Sequence, residues 1–211
     1  MTKAMIWGAN GGIGRALVTR LTSQGWTVMA VARQPSDLAS LTPHLFEADI
    51  ADPIEIQATA MAASEITDDI NLWIYTVGDI TTSTVADMSP DTWQRILHAN
   101  LTGAFLSIHY SLPLLAPNAH LVFLGAVSEQ LRLPGLAAYA TAKAGLEAFG
   151  DTLGKEERKR RVTVVRPGAV GTPLWEKVPM QLPTHALSAE EVAKQILEAY
   201  HQGHQGLLDL P

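Results

Sequence analysis

The chain has 211 residues, of which 47% are hydrophobic and 17% charged, and a formal net charge of −6. That is enough apolar material for one domain with a full core and too much for a disordered chain, and the acidic balance argues against nucleic acid as a partner. There is no cysteine, which excludes disulfides, thiolate catalysis and Cys-ligated zinc, and no run of about 20 apolar residues, so a cytoplasmic protein without a membrane span is expected.

Short apolar runs alternate with longer amphipathic stretches. Strands are expected at 3–8, 27–32, 44–48, 71–77, 119–125, 161–166 and 206–210. The first helix is expected at 12–24, where Ile13, Leu17 and Leu21 recur every four residues on one face. Asp52-Pro53-Ile54-Glu55 and Ser188-Ala189-Glu190-Glu191 read as capping boxes, and Ser89-Pro90 as a further helix start. A helical period runs over 136–150. Parallel strands need crossovers, so this alternation predicts an α/β fold: a single doubly wound Rossmann-type domain, residues 1–211, around a mainly parallel seven-stranded sheet.

At the first strand-to-helix junction stands Gly8-Ala9-Asn10-Gly11-Gly12-Ile13-Gly14. Taken alone it is equally a ligand-free turn. Its place, after a strand and opening a helix, suits a pyrophosphate held on free backbone N–H groups at a helix N-terminus.

The spacing Gly-x-x-x-Gly-x-Gly resembles the short-chain dehydrogenases/reductases, and the resemblance extends along the chain. Asp49-Ile50 looks like that family's adenine-contacting pair. Asn100-Leu101-Thr102-Gly103 is similar to its Asn-x-x-Gly motif, Tyr139-x-x-x-Lys143 to its Tyr-x-x-x-Lys, and Pro167-Gly168-Ala169-Val170-Gly171-Thr172 to the segment beside the nicotinamide. The resemblance implies an oxidoreductase that uses a nicotinamide dinucleotide on a small carbonyl or alcohol substrate, assembled as a homodimer or homotetramer. It implies cofactor contacts from Gly8, Asn10, Gly11, Gly12, Ile13, Gly14, Asp49, Ile50, Gly78, Tyr139, Lys143, Pro167, Gly168, Val170 and Thr172.

Cofactor choice turns on the end of the second strand. Ala32 stands where NAD-preferring relatives have Asp, and Arg33 follows, as in NADP-preferring ones. A forked guanidinium suits a 2′-phosphate, so NADP(H) is expected, with NAD(H) left open because Gly11 takes the place of a second basic residue.

Tyr139 and Lys143, four residues apart, share one helical face. The expectation is that the ammonium lowers the phenol pKa so that Tyr139 exchanges a proton with the substrate oxygen, while Asn100 anchors the water that links Lys143 to solvent. The family's catalytic Ser is missing: Ala126 occupies that position, thirteen residues before Tyr139, and Ser128 is the nearest hydroxyl. Tyr75-Thr76-Val77-Gly78 departs from the usual Asn-Asn-Ala-Gly, and Trp7 from the usual Thr. The competing class is a non-catalytic nucleotide sensor.

An apolar substrate pocket is expected from 126–136 and from Leu174, Trp175, Val178, Met180 and Leu182, with Glu129, Arg132 and Glu176 as polar handles. The basic run 155–161 reads as a solvated helix end, and the histidines show no metal-ligand spacing.

Overall fold

The computed structural model describes residues 1–178 and 181–210; Met180 therefore lies outside the described residues. In chain order the strands are β1 (Lys3–Trp7), β2 (Thr27–Ala32), β3 (His44–Glu47), β4 (Ile70–Tyr75), β5 (Leu115–Leu124), β6 (Arg161–Pro167), β7 (Val170–Gly171), β8 (Leu187–Ser188) and β9 (Gly206–Leu210). Seven of them form one sheet in the order β3-β2-β1-β4-β5-β6-β9, and each neighbouring pair is parallel. The helices are α1 (Gly12–Ser23), α2 (Pro53–Ser64), α3 (Pro90–Leu97), α4 (Gly103–Ser111), α5 (Ala137–Glu156) and α6 (Ala189–Gln202).

The two-residue period of the strands divides the core into two faces. Met5, Trp7, Met29, Val31, Trp73, Tyr75, Leu121 and Phe123 point to the side covered by α2, α4 and α5. Their alternates Ala4, Ile6, Val28, Ala30, Leu72, Ile74 and Val122 meet Leu17, Val18 and Leu21 of α1 and Val192, Ile196 and Leu197 of α6. The result is the three-layer, doubly wound Rossmann-type fold. Strand order reverses between β1 and β4, whose following segments leave toward opposite faces, and a crevice opens at that point.

The helix starts follow the cap residues. Asp52 accepts from Ile54 N at 2.8 Å, Ser89 from Thr92 N at 3.1 Å and Ser188 from Glu191 N at 3.1 Å. The reciprocal half of the first box is redirected: Glu55 accepts from Asp49 N at 2.7 Å rather than from Asp52, which ties α2 to the turn after β3. Strand β5 begins at Leu115, earlier than the apolar run suggests, through a register shift between Ile70 and Leu72 of β4 that absorbs Pro117. Helix α5 runs six residues past Gly150, to Glu156, because that glycine faces Val164 of β6 and keeps the packing close. The short β7–β8 pair has no sequence signal, being two residues on each side.

Candidate functional site

A cleft of about 1400 Å³ lies along the C-terminal ends of the strands, over the switch point between β1 and β4. Ligand clefts for small organic molecules run to roughly 300–1,000 Å³, so this one has room for a dinucleotide and a second molecule. Gly8, Asn10, Gly11, Gly12, Ile13, Gly14, Arg33, Asp49, Ile50, Gly78, Tyr139, Lys143, Pro167, Gly168, Val170 and Thr172 all line it.

The glycine turn is built for close approach. Gly8 has φ +85, and a Cβ there would lie 2.8 Å from both Thr76 Oγ1 and Val77 N. A Cβ on Gly14 would sit 2.2 Å from Gly8 O, which leaves no position for a side chain. Gly11 caps α1 in extended conformation with no side-chain hydrogen bond and no acidic residue in the first turn. This bare, positive helix end, cradled by backbone, fits an anionic pyrophosphate. Asn10 Nδ2 donates to Gln34 O at 3.0 Å and its Oδ1 accepts from Arg15, which fastens the turn to the loop carrying the exposed Arg33.

The altered end of β4 also finds its physical account. Thr76 Oγ1 donates to Trp7 O at 2.9 Å, linking the ends of β4 and β1, and the buried Tyr75 hydroxyl donates to Ala99 O at 2.9 Å. Burial pushes the Tyr75 phenol well above its ordinary range. Asn100 is fully buried in a π turn, His98–Thr102, that joins α3 to α4. It lies behind the wall, where Nδ2 donates to Asp79 O at 2.7 Å and Ile96 O at 2.9 Å, so it fixes the loop after β4 and the wide turn together.

Tyr139 and Lys143 stand one turn apart on α5, with Lys143 Nζ 5.5 Å from the Tyr139 ring centroid and donating to Leu124 O at 2.8 Å. Both are buried: 9% of Tyr139 and 3% of Lys143 is exposed. Burial pushes the Tyr139 phenol up to about 12 and the Lys143 ammonium down to about 7, the opposite direction for the phenol to the one expected from the spacing. At neutral pH the phenol is protonated, and the Lys143 amine is near the middle of its titration.

Ala126 and Val127 line the cleft, whereas Ser128 is buried and is not among the lining residues. Leu174, Trp175 and Val178 line it as expected; Leu182 is 42% exposed and stands off the wall. The expected handles Glu129, Arg132 and Glu176 are not part of the lining. Glu129 turns instead to Arg166, at 3.2 Å, in a ring completed by Glu147 at 3.1 Å and Asp209 at 2.6 Å. The polar side chains that do enter this end of the cleft include Asp79, Arg95, His98, Gln130, Lys177 and His185. Only Asp79 follows a motif residue, Gly78; the others carry no local signature. In the basic run, Lys155 pairs with Asp151, and Arg160 pairs with Glu157 and caps the carbonyls of Leu112, Leu115 and Ala116.

The family model described as short chain dehydrogenase matches residues 2–182. The chain is 32% identical over 179 residues to an uncharacterized short-chain type dehydrogenase/reductase of Sinorhizobium fredii, covering 81% of this chain but only 33% of that protein. It is 29% identical over 189 residues to the 3-oxoacyl-acyl-carrier-protein reductase of Synechocystis, covering 83% of this chain and 76% of that one. Among solved structures, a short-chain dehydrogenase/reductase from Serratia marcescens superposes with a TM-score of 0.88 at 20% identity, over 99% of this chain and 96% of the other. No helix among the described residues is long and apolar enough to cross a membrane.

Proposed function

The chain belongs to the short-chain dehydrogenase/reductase family of oxidoreductases, and from that premise we propose that it interconverts a carbonyl and an alcohol with NADP(H), using Tyr139 as the acid and base and Lys143 as its neighbour. The observation that carries this reading is that one cleft is walled both by the bare glycine turn and by the buried Tyr139–Lys143 pair. Gly8, Gly11, Gly12 and Gly14 would hold the pyrophosphate, Arg33 a 2′-phosphate, Asp49 and Ile50 the adenine side, and Pro167, Gly168, Val170 and Thr172 the nicotinamide side. When bound, the nicotinamide gives or accepts the hydride.

The residues do the rest. In the reductive direction the Tyr139 O–H bond breaks and its proton passes to the substrate oxygen, and the phenolate left behind is re-protonated from Lys143. The phenol is protonated at neutral pH, as this direction requires, and its burial makes it a weaker acid than a free phenol. Ala126 supplies no hydroxyl to polarise the carbonyl, so the oxygen is held by Tyr139 alone on that side. The exposed aromatic face of α4 and α5, where Phe105 is 46% exposed and packs edge-on to Phe149, supports assembly as a homodimer or homotetramer.

The test is titration of the protein with NADPH and NADH by nicotinamide fluorescence, followed by a panel of carbonyl compounds. The expected result is tighter NADPH binding, oxidation by at least one panel member, and a Tyr139→Phe variant that binds NADPH but turns nothing over. Binding never followed by oxidation favours the second reading, a nucleotide sensor, for which Ala126 and the off-wall Ser128 speak. Failure to bind either dinucleotide overturns both.

A further inference from the structure

The substrate end of the cleft is apolar over most of its surface, from Ile80, Leu131, Leu136, Leu174 and Val178, yet one charged cluster enters it. Asp79 follows the loop glycine after β4, with its side chain 14% exposed. Arg95 of α3 pairs with its Oδ2 and also donates to Thr81 Oγ1 at 2.6 Å. Lys177, which lies 98 residues further along the chain in the segment after β7, reaches the other oxygen, Oδ1, at 2.6 Å. Arg95 is 49% and Lys177 55% exposed at their side chains, so both cations remain open to the cleft. Asp79 is the one carboxylate in the described lining of this half.

Two cations on one carboxylate leave one positive charge unmatched beside apolar walls, and solvent screens it only in part because each side chain is about half covered. Building on the reductase reading, we infer that Arg95 and Lys177 form an anion subsite, and that the preferred substrate is an apolar carbonyl compound carrying a carboxylate away from the reacting carbon. Asp79 then acts as an internal stand-in. It holds the two cations in place while the site is empty and shares them with the substrate carboxylate when it is filled. An uncharged substrate makes no use of the pair and leaves Asp79 with both partners.

The probes are 4-acetylbenzoate and its methyl ester, which differ in one charge and keep the same ketone. Affinity is read by calorimetry on the NADP+-saturated protein, where the ketone has no hydride to accept, and turnover by NADPH oxidation. The acid is expected to bind about tenfold more tightly than the ester, the worth of one charge-assisted hydrogen bond. Lys177→Met and Arg95→Met each reduce that preference toward unity, whereas Asp79→Asn raises it. The opposite signs are the discriminating result. If the cluster merely tethered the segment after β7 across the cleft, Asp79→Asn and Lys177→Met would break the same bridge and act in the same direction, and the subsite is then overturned. Equal binding of acid and ester by the unaltered protein overturns it too. Should neither probe be reduced, the calorimetric preference still decides the subsite, and the reductase reading is decided by the wider carbonyl panel.

Discussion

Replacing Lys143 by Met should stabilise the ligand-free protein, and by an amount that depends on pH. Lys143 is 3% exposed, and burial lowers its ammonium from 10.5 to about 7. At about 1.4 kcal/mol per pKa unit, that gap amounts to about 5 kcal/mol spent on holding the charged form inside the fold. Removing the amine also strips Leu124 O of its 2.8 Å donor, a loss of about 1–3 kcal/mol. The net gain for Lys143→Met at pH 6 is therefore about 2–4 kcal/mol. Below pH 7 the lysine is protonated in both folded and unfolded chains, and the gain is constant. Between pH 7 and 10.5 the folded form is neutral while the unfolded form still binds a proton, so the unaltered protein gains stability as pH rises. The advantage of the variant shrinks by about 1.4 kcal/mol per pH unit and nearly vanishes by about pH 9. Tyr139, raised from 10.0 to about 12, titrates above this range, and His120, lowered from 6.5 to about 3, is present in both proteins and cancels. Urea denaturation of both proteins, free of dinucleotide, at pH 6, 7, 8 and 9 measures the difference. A gap of constant size across that series would mean that Lys143 titrates normally in the fold, and the proton relay proposed for it would lose its physical basis.

Arg33→Asp should weaken NADPH binding about ten- to a hundredfold by removing a charge-assisted contact while sparing NADH; fluorescence titration with unchanged selectivity would refute the role given to Arg33. Gly14→Ala places a Cβ 2.2 Å from Gly8 O and is expected to cost about 1–3 kcal/mol and to impair dinucleotide binding, so an unaltered melting midpoint and NADPH affinity would contradict the close approach. Arg166→Leu leaves Glu147, whose side chain is 15% exposed, without its cation at 3.1 Å, and should cost about 3–5 kcal/mol at pH 7. Arg166 holds the Asp209 carboxylate below its ordinary range, and Glu129 is lowered first by its own backbone N–H and then by Arg166; the part owed to Arg166 exists above the unfolded pKa and fades as pH falls, so the deficit should narrow below about pH 4 in denaturation experiments.

The parts of this protein that were legible in the sequence are those fixed by neighbours along the chain. Alternating apolar residues assign Met5 and Trp7 to one face of β1 and Ala4 and Ile6 to the other, because successive side chains of a strand point oppositely. Ser89 and Ser188 cap their helices with hydroxyls three residues from their partners, and Tyr139 and Lys143 meet through one helical turn. Tertiary structure decided what depends on distant groups. It turned Glu55 toward Asp49 N, drew Glu129 away from the cleft to Arg166, and joined Asp79 to Lys177 across 98 residues. It also reversed the tuning expected of Tyr139 and Lys143. Spacing states that a phenol and an ammonium are close, but only the packing around them sets how much water each has lost, and that loss determines which way each pKa moves.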